Sequence, residues 1–263
     1  MTKMLDDYAL LSPLRYTNNW LKIGVVGFGI LMGISSQSPL VPFSIAICMS
    51  LATLIFGRVP PRFYLKLLMG PAFFVVLSVI IIAFFFGSGP ELFGFNVLDY
   101  HLGVNTGGLS MAFLVFSRTL GGMCCLFFLA LTTPMVELFS VLKKTRLPDS
   151  FIELSMMMYR YIFVFLDVAW CIKHAQTVRL GYHDLRTSLH SMAMLCSTLF
   201  LRSWEQGEKT FVAMNARCYD GKMMIFEEKR PVNFSEVALS LGYMVAIVGV
   251  WYVSNGMLEV SLW

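Results

Sequence analysis

Five apolar runs limit what this chain can fold into. They lie at about 20–36, 39–57, 64–87, 107–133 and 235–254. A helix needs about 20 apolar residues to cross the hydrocarbon of a bilayer, and about 17 at the short end. Composition points the same way: 57% of the 263 residues are hydrophobic and 14% are charged. An ordinary soluble domain carries about 25% charged residues. The expectation is an all-α membrane protein with five transmembrane helices, four N-terminal and one C-terminal. The first two runs are short and joined only by Ser-Ser-Gln-Ser-Pro, so they read as a tight hairpin.

Charge sets the orientation, because short loops rich in Lys and Arg stay on the cytoplasmic side. With Lys3, Arg15 and Lys22 cytoplasmic, the tip at 35–38 falls outside and has no Lys or Arg. The 58–66 loop, with Arg58, Arg62 and Lys66, then falls inside. The Gly/Pro/Asn-rich connector at 87–106, also without Lys or Arg, falls outside, and 134–234 falls inside with most of the remaining basic residues. The C-terminus ends outside. The first twenty residues are polar, and no cleavable signal peptide is expected.

Leu154–Ile172 is also apolar enough to resemble a span, but it carries Arg160 and Asp167. Each would cost several kcal/mol at mid-bilayer unless paired, and crossing there would move many basic residues outside. The stretch 135–217 therefore reads as long apolar helices lying against the membrane part on its cytoplasmic face. Pro134 starts a short helix through Lys144. Leu-Pro-Asp-Ser opens a second, with Pro148 pre-set for the first turn, which runs to about Arg179 and stops at Gly181. A third starts near Thr187–Ser188 and ends at Cys218, before Gly221.

On this third helix Met192, Cys196, Leu199, Phe200, Trp204, Phe211 and Met214 fall near one face, with Arg202, Glu205, Gln206 and Lys209 on another. Glu205 and Lys209 form an i,i+4 pair. The helix is about 45 Å long at 1.5 Å per residue. The chain thus divides into a four-helix transmembrane region (1–134), a cytoplasmic helical region (135–230) and a final transmembrane helix (231–263).

Several chemistries lack their residues. There is no G-x-x-x-x-G-K-[ST] phosphate loop, H-E-x-x-H or G-x-S-x-G. The six cysteines include no C-x-x-C pair and read as free thiols. His183-Asp184 is a loop pair, and the four histidines have no partners at metal-site spacing. The net charge of +4 forms no basic stripe interleaved with aromatics, so nucleic acid is not a partner. The chain reads as no enzyme, with no metal or cofactor of its own. If it serves an uphill process, the energy comes from a partner.

Three features stand above that background. Two arginines end long helices: Val178-Arg179-Leu180, followed by Gly181, and Ala216-Arg217-Cys218, followed by Gly221. Arginine at a helix C-terminus suits the macrodipole on its own account, and a planar guanidinium at a helix tip also suits bidentate docking to a partner's carboxylates. Arg118 lies inside the fourth run and, with Arg160 and Asp167, is a candidate intramembrane or subunit-interface residue. Its structural alternative is pairing with a polar group such as Asp167 or with a backbone carbonyl. The 18 methionines, including Met156–Met158, read as soft packing surface.

The order of four spans, long helices with two arginine motifs and one final span resembles the transmembrane (T) component of energy-coupling factor (ECF) ABC transporters. Within that group it is most similar to the CbiQ family of cobalt transport proteins. The resemblance rests on LDDYALLSPLRYTNNWLKIG, PPRFYLKLLMGP, FSRTL with Arg118, LTTPMVELFSVLKKTRLPDSFIELSMMMYRYIFV and LFLRSWEQGEKTFVAMNARCYDG. It implies three cytoplasmic coupling helices whose two motifs, usually Ala-Arg-Gly, dock on two ABC-type ATPase subunits carrying ATP and Mg. Val178, Arg179 and Leu180 would meet one ATPase, and Ala216, Arg217 and Cys218 the other. Leu180 and Cys218 stand where glycine is usual, and Val178 where alanine is usual. The resemblance further implies a substrate-binding membrane (S) component, a small accessory membrane subunit, a lipid environment in a prokaryotic cytoplasmic membrane, and cobalt or nickel carried on a partner. A vitamin importer in the same role, or a self-contained channel or secondary transporter, is the alternative.

Overall fold

The computed structural model describes residues 8–85, 91–97, 100–144, 147–221 and 233–260. Lys3, and Arg146, Lys222, Lys229 and Arg230 of the basic 134–234 stretch, lie outside them, as do the last three residues. The chain divides into two compact units, Met1–Leu138 with Lys229–Trp263, and Phe139–Glu228.

The first unit opens with a 3-10 turn at Pro13–Tyr16, followed by α1 (Asn19–Ser35) and α2 (Leu40–Ile55). Asn18 caps α1 by accepting from the Trp20 N–H at 3.0 Å, which satisfies one of the orphan donors at a helix start. The Ser-Pro pair at 38–39 ends the tight turn and starts α2. Helix α3 (Pro61–Phe85) follows, with Pro71 inside it, and α4 (Thr106–Thr132) and the C-terminal helix (Phe234–Val260) complete the bundle. The connector before α4, read above as loop, holds an antiparallel hairpin of β1 (Glu91–Val97) and β2 (Tyr100–Asn105), with Val97 opposite Tyr100. Its Phe93, Phe95 and Val97 alternate with polar or small residues, the period of a strand. Gly, Pro and Asn content hid that pattern.

Small residues let these helices approach closely. A Cβ built on Gly121 of α4 would lie 2.8 Å from the Pro42 carbonyl oxygen of α2. One on Gly29 of α1 would lie 3.0 Å from the Tyr243 hydroxyl and 3.3 Å from Cys125 Sγ. Close backbone approach on small residues is the packing mode of helices in lipid, where apolar surface alone gives no preference for a neighbouring helix. Around these contacts Val26, Val41, Ile45, Met49, Cys125, Phe128 and Ile247 form the core.

The second unit contains two long helices, α6 (Asp149–Val178) and α7 (Leu185–Ala216), preceded by α5 (Met135–Lys143), which starts within the first unit after Pro134. The C-terminal helix is therefore α8. Ties run along the α6–α7 pair, among them Tyr219 to Glu153, Tyr161 to Thr210 and Gln176 to Ser191. As one partner number rises the other falls, so the helices lie antiparallel along their whole length.

Among the described residues four helices are long and apolar enough to cross a membrane: α3, α4, α6 and α8. Helices α1 and α2, with 17 and 16 residues, are shorter. All five runs expected to span are thus helical, the first two short as their sequence indicated. By length and composition α6 joins the longer set.

Candidate functional site

The two arginine motifs end α6 and α7 in the same backbone turn. At the first, Arg179 is the last near-helical residue (φ −89°, ψ 19°) and Leu180 turns left-handed at φ 56°. At the second, Arg217 (φ −98°, ψ 18°) precedes Cys218 at φ 58°. The two bonds that close each turn correspond. Leu180 N–H donates to the Thr177 carbonyl at 3.1 Å and Gly181 N–H to Gln176 at 2.8 Å. Cys218 N–H donates to Asn215 at 3.1 Å and Tyr219 N–H to Met214 at 3.1 Å. Both are Schellman turns, which close a helix by satisfying its last carbonyls and place a left-handed residue directly after the cap.

That left-handed position normally belongs to glycine. A residue with a Cβ there costs about 1–2 kcal/mol, so Leu180 and Cys218 each hold a strained backbone. Glycine would adopt this turn without strain, and here leucine and cysteine hold it instead.

Each turn is braced from within its unit. Ser191 Oγ donates to the Gly181 carbonyl at 2.8 Å, Gln176 Nε2 to the Ser191 carbonyl at 2.9 Å, and the Tyr182 hydroxyl to Gln176 Oε1 at 2.8 Å. A Cβ on Gly181 would meet Ser191 Oγ at 2.7 Å and the Gln176 carbonyl at 2.9 Å, so this glycine is required by space. At the second turn the Tyr219 hydroxyl donates at 2.8 Å to Glu153, a carboxylate only 5% exposed. That bond holds the Tyr219 phenol above its ordinary pKa, because ionising it would set two negative charges together. None of these braces was apparent from the sequence, since each joins residues from different turns or helices.

The arginines themselves are exposed, and among the described residues neither the Arg179 nor the Arg217 guanidinium has a hydrogen-bond or ion-pair partner. Because α6 and α7 are antiparallel, the two tips lie at opposite ends of the pair. Glu153 marks the level of the second tip on α6, so the roughly 26 residues between it and Arg179 separate the tips by about 40 Å. Between the helices runs an apolar groove of about 920 Å³, lined among others by Met157, Met158, Phe165, Leu199, Phe211 and Met214. The methionines thus line a surface with soft, adaptable packing. Arg160 and Asp167 are both exposed on α6.

Arg118, in the middle of α4, donates through Nη2 to the carbonyl of Ser36. Ser36 is fully buried and caps the C-terminus of α1, so the guanidinium satisfies a helix-end carbonyl and complements the dipole there. Of the partners weighed from sequence, the structure gives it a backbone carbonyl. Its Nε is buried without a partner among the described residues, and the side chain lines an apolar crevice of about 490 Å³ with Gly33, Pro71 and Gly122.

A second polar cluster, not foreseen, gathers at the other end of the bundle. Glu137 in the first turn of α5 accepts from Asn19 Nδ2 at 2.9 Å and from Arg15 Nε at 3.4 Å. Lys22, 6% exposed, reaches the Thr132 carbonyl at the end of α4 at 3.4 Å, and Glu236 in the first turn of α8 accepts from the Asn18 N–H at 3.2 Å. The His183–Asp184 pair is in contact at 3.2 Å and exposed. Among the described residues no three His, Cys, Asp or Glu side chains could hold a metal ion.

Apolar helices packed on small residues, with two arginines presented at helix ends and a few charged groups buried between helices, define a helical membrane protein. The chain belongs to the CbiQ family of cobalt transport proteins, whose sequence profile matches residues 12–226. A fused cobalt transport protein CbiMQ of Methanocorpusculum labreanum is 44% identical over 251 residues, which cover 92% of this chain and 42% of that relative. This chain therefore corresponds to less than half of that fused protein. An uncharacterized protein of Methanocaldococcus jannaschii is 37% identical over 224 residues, 85% of this chain and 83% of the relative. The cobalt transport protein CbiQ of Salmonella typhimurium is 30% identical over 153 residues, 57% of this chain and 68% of the relative. A member of this family is a component of a transporter that works with other subunits.

Proposed function

We propose that this chain is the transmembrane coupling subunit, the T component, of an ATP-driven ECF importer for a transition metal ion, cobalt first and nickel second. The observation that carries the reading is the pair of matching helix tips, each ending in one Schellman turn that presents an exposed, unpartnered arginine. Two equal tips about 40 Å apart suit two ATPase subunits acting as a pair. Arginine's planar fork suits carboxylates in a groove on each. Closure of the ATPases on ATP and Mg would then move the tips and tilt α6 and α7.

The exposed apolar groove between those helices suits a separate membrane subunit that carries the metal. A relative described as a fused CbiMQ protein, with more than half its length outside the match, supports a role beside a second transport component. In this reading α1, α2, α3, α4 and α8 cross the membrane. Helices α5, α6 and α7 lie on the cytoplasmic side with the N-terminus, in accordance with the placement of Lys and Arg. The metal is substrate, held by the partner.

The test replaces both arginines by glutamate and copurifies the chain with its ATPases. Arg179→Glu with Arg217→Glu should abolish ATPase retention and ATP-driven cobalt uptake, while the chain alone keeps its melting temperature. Retention and uptake at the wild-type level would refute the docking role. Uptake by the purified chain reconstituted alone would favour a self-contained transporter.

A further inference from the structure

The two tips share one backbone and one arginine, yet their flanking side chains differ. Val178 and Leu180 beside Arg179 are 84% and 70% exposed. Ala216 and Cys218 beside Arg217 are also exposed but much smaller. Both caps place a left-handed residue after the arginine and close with the same pair of Schellman bonds. They differ only in the arginine N–H, which donates to Ala175 at one tip and to Met214 at the other, so the turn and the guanidinium distinguish the tips little. Any difference in how they bind lies in these flanking side chains.

Leu180 raises a further question. Its backbone is left-handed, where glycine would sit without strain, and its side chain, 70% exposed, gains little burial to offset that strain. An exposed leucine also leaves apolar surface in water. A side chain that is both strained and uncovered contributes nothing to this chain by itself. Strained backbone retained without local compensation marks a place where the gain comes from another state of the molecule.

Accepting the docking role proposed above, we infer that Leu180, together with Val178, is an apolar anchor that is buried in a groove of one ATPase partner. That groove carries an apolar pocket beside the carboxylates that take Arg179. The Ala216-Arg217-Cys218 tip relies on its arginine, its small neighbours leaving little apolar surface to bury. The first tip is then the tighter joint, and the pair is unequal by design of its side chains rather than its backbone.

The experiment compares Leu180→Gly with Cys218→Gly in the full chain coexpressed with its ATPases. Both substitutions relax a left-handed residue, so both should leave the melting temperature of the chain alone unchanged or raised, which separates docking from folding. Leu180→Gly should weaken ATPase retention by about tenfold or more, the size expected from burying one leucine side chain. Cys218→Gly should change it less than about threefold, and Leu180→Met should restore most of the loss. Equal effects of the two glycine variants, or wild-type retention by Leu180→Gly, would overturn the anchor. The Arg179→Glu, Arg217→Glu double variant serves as the reference. If it loses the ATPases while Leu180→Gly keeps them, only the anchor fails. If it also keeps them, the docking reading fails with it.

Discussion

Within the bundle of α1–α4 and α8, Val41, Ile45, Met49, Cys125 and Leu131 are almost fully shielded. Along α6 and α7 the buried residues are Ile152, Glu153 and Ser191. Yet α6 is apolar enough to cross a bilayer, and Met158, Phe200 and Phe211 are each more than half exposed. The bundle has a core packed on small residues, beneath outward apolar side chains such as Leu31, Phe73 and Phe74. The arm has almost no core and is held by a few hydrogen bonds spaced along two helices. The first is built for shape and the second for contact with something else, the role that large exposed apolar surface has in folded proteins.

A glycine substitution in the bundle should break this contrast most severely. Gly121→Val forces a side chain into the Pro42 backbone, and backbone has little room to move. A loss of about 3 kcal/mol is expected, typical of an overpacked core, seen as loss of monodisperse protein in detergent. Arg118→Ala comes next. It leaves the buried Ser36 carbonyl without its charged donor, for a loss of about 2 kcal/mol. A fall in melting temperature checks it, and Arg118→Lys should recover part of the loss.

Two smaller effects lie in the arm of α6 and α7. Tyr219→Phe removes the donor to buried Glu153 and should lower the melting temperature slightly, read in the same assay. Gly207→Ala meets open space and should stabilise the chain by up to about 1 kcal/mol through helix propensity. A gain at Gly207 with a loss at Gly121 sharpens the comparison, whereas two losses would show that the arm is packed as tightly as the bundle. Smallest for the chain alone is Phe211→Ser in the exposed groove, expected to shift stability by less than about 0.5 kcal/mol. The same substitution should reduce recovery of the partner membrane subunit in copurification.

Much of this architecture was legible in the sequence because apolar periodicity and Pro or Gly punctuation are local signals. The helix beginning at Asp149 was announced by Pro148, and the end of α7 by the Asn-Ala-Arg-Cys run. Residues 19–35 and 40–55 showed their shortness directly. Contacts between distant residues left no such mark. Nothing near Arg118 in the chain indicates Ser36, and nothing near Glu153 indicates Tyr219. The left-handed turns were hidden for a different reason: their usual marker is glycine, and this chain has leucine and cysteine there. The hairpin of β1 and β2 was masked by the loop-like composition around it.

The pinned turn between α1 and α2 has a consequence for the lipid around it. Arg118 holds Ser36, and Ser254 of α8 pairs with Ser38, so the hairpin cannot slide along its neighbours. Its helices of 17 and 16 residues are about 25 Å long, against a hydrocarbon thickness of about 30 Å. In the proposed topology the bilayer must thin at this side of the protein, at a cost of a fraction of a kcal/mol per Å of hydrophobic mismatch. Acyl-chain length then becomes a control variable: vesicles of shorter-chain lipids should relieve the mismatch and raise uptake, and thicker bilayers should depress it.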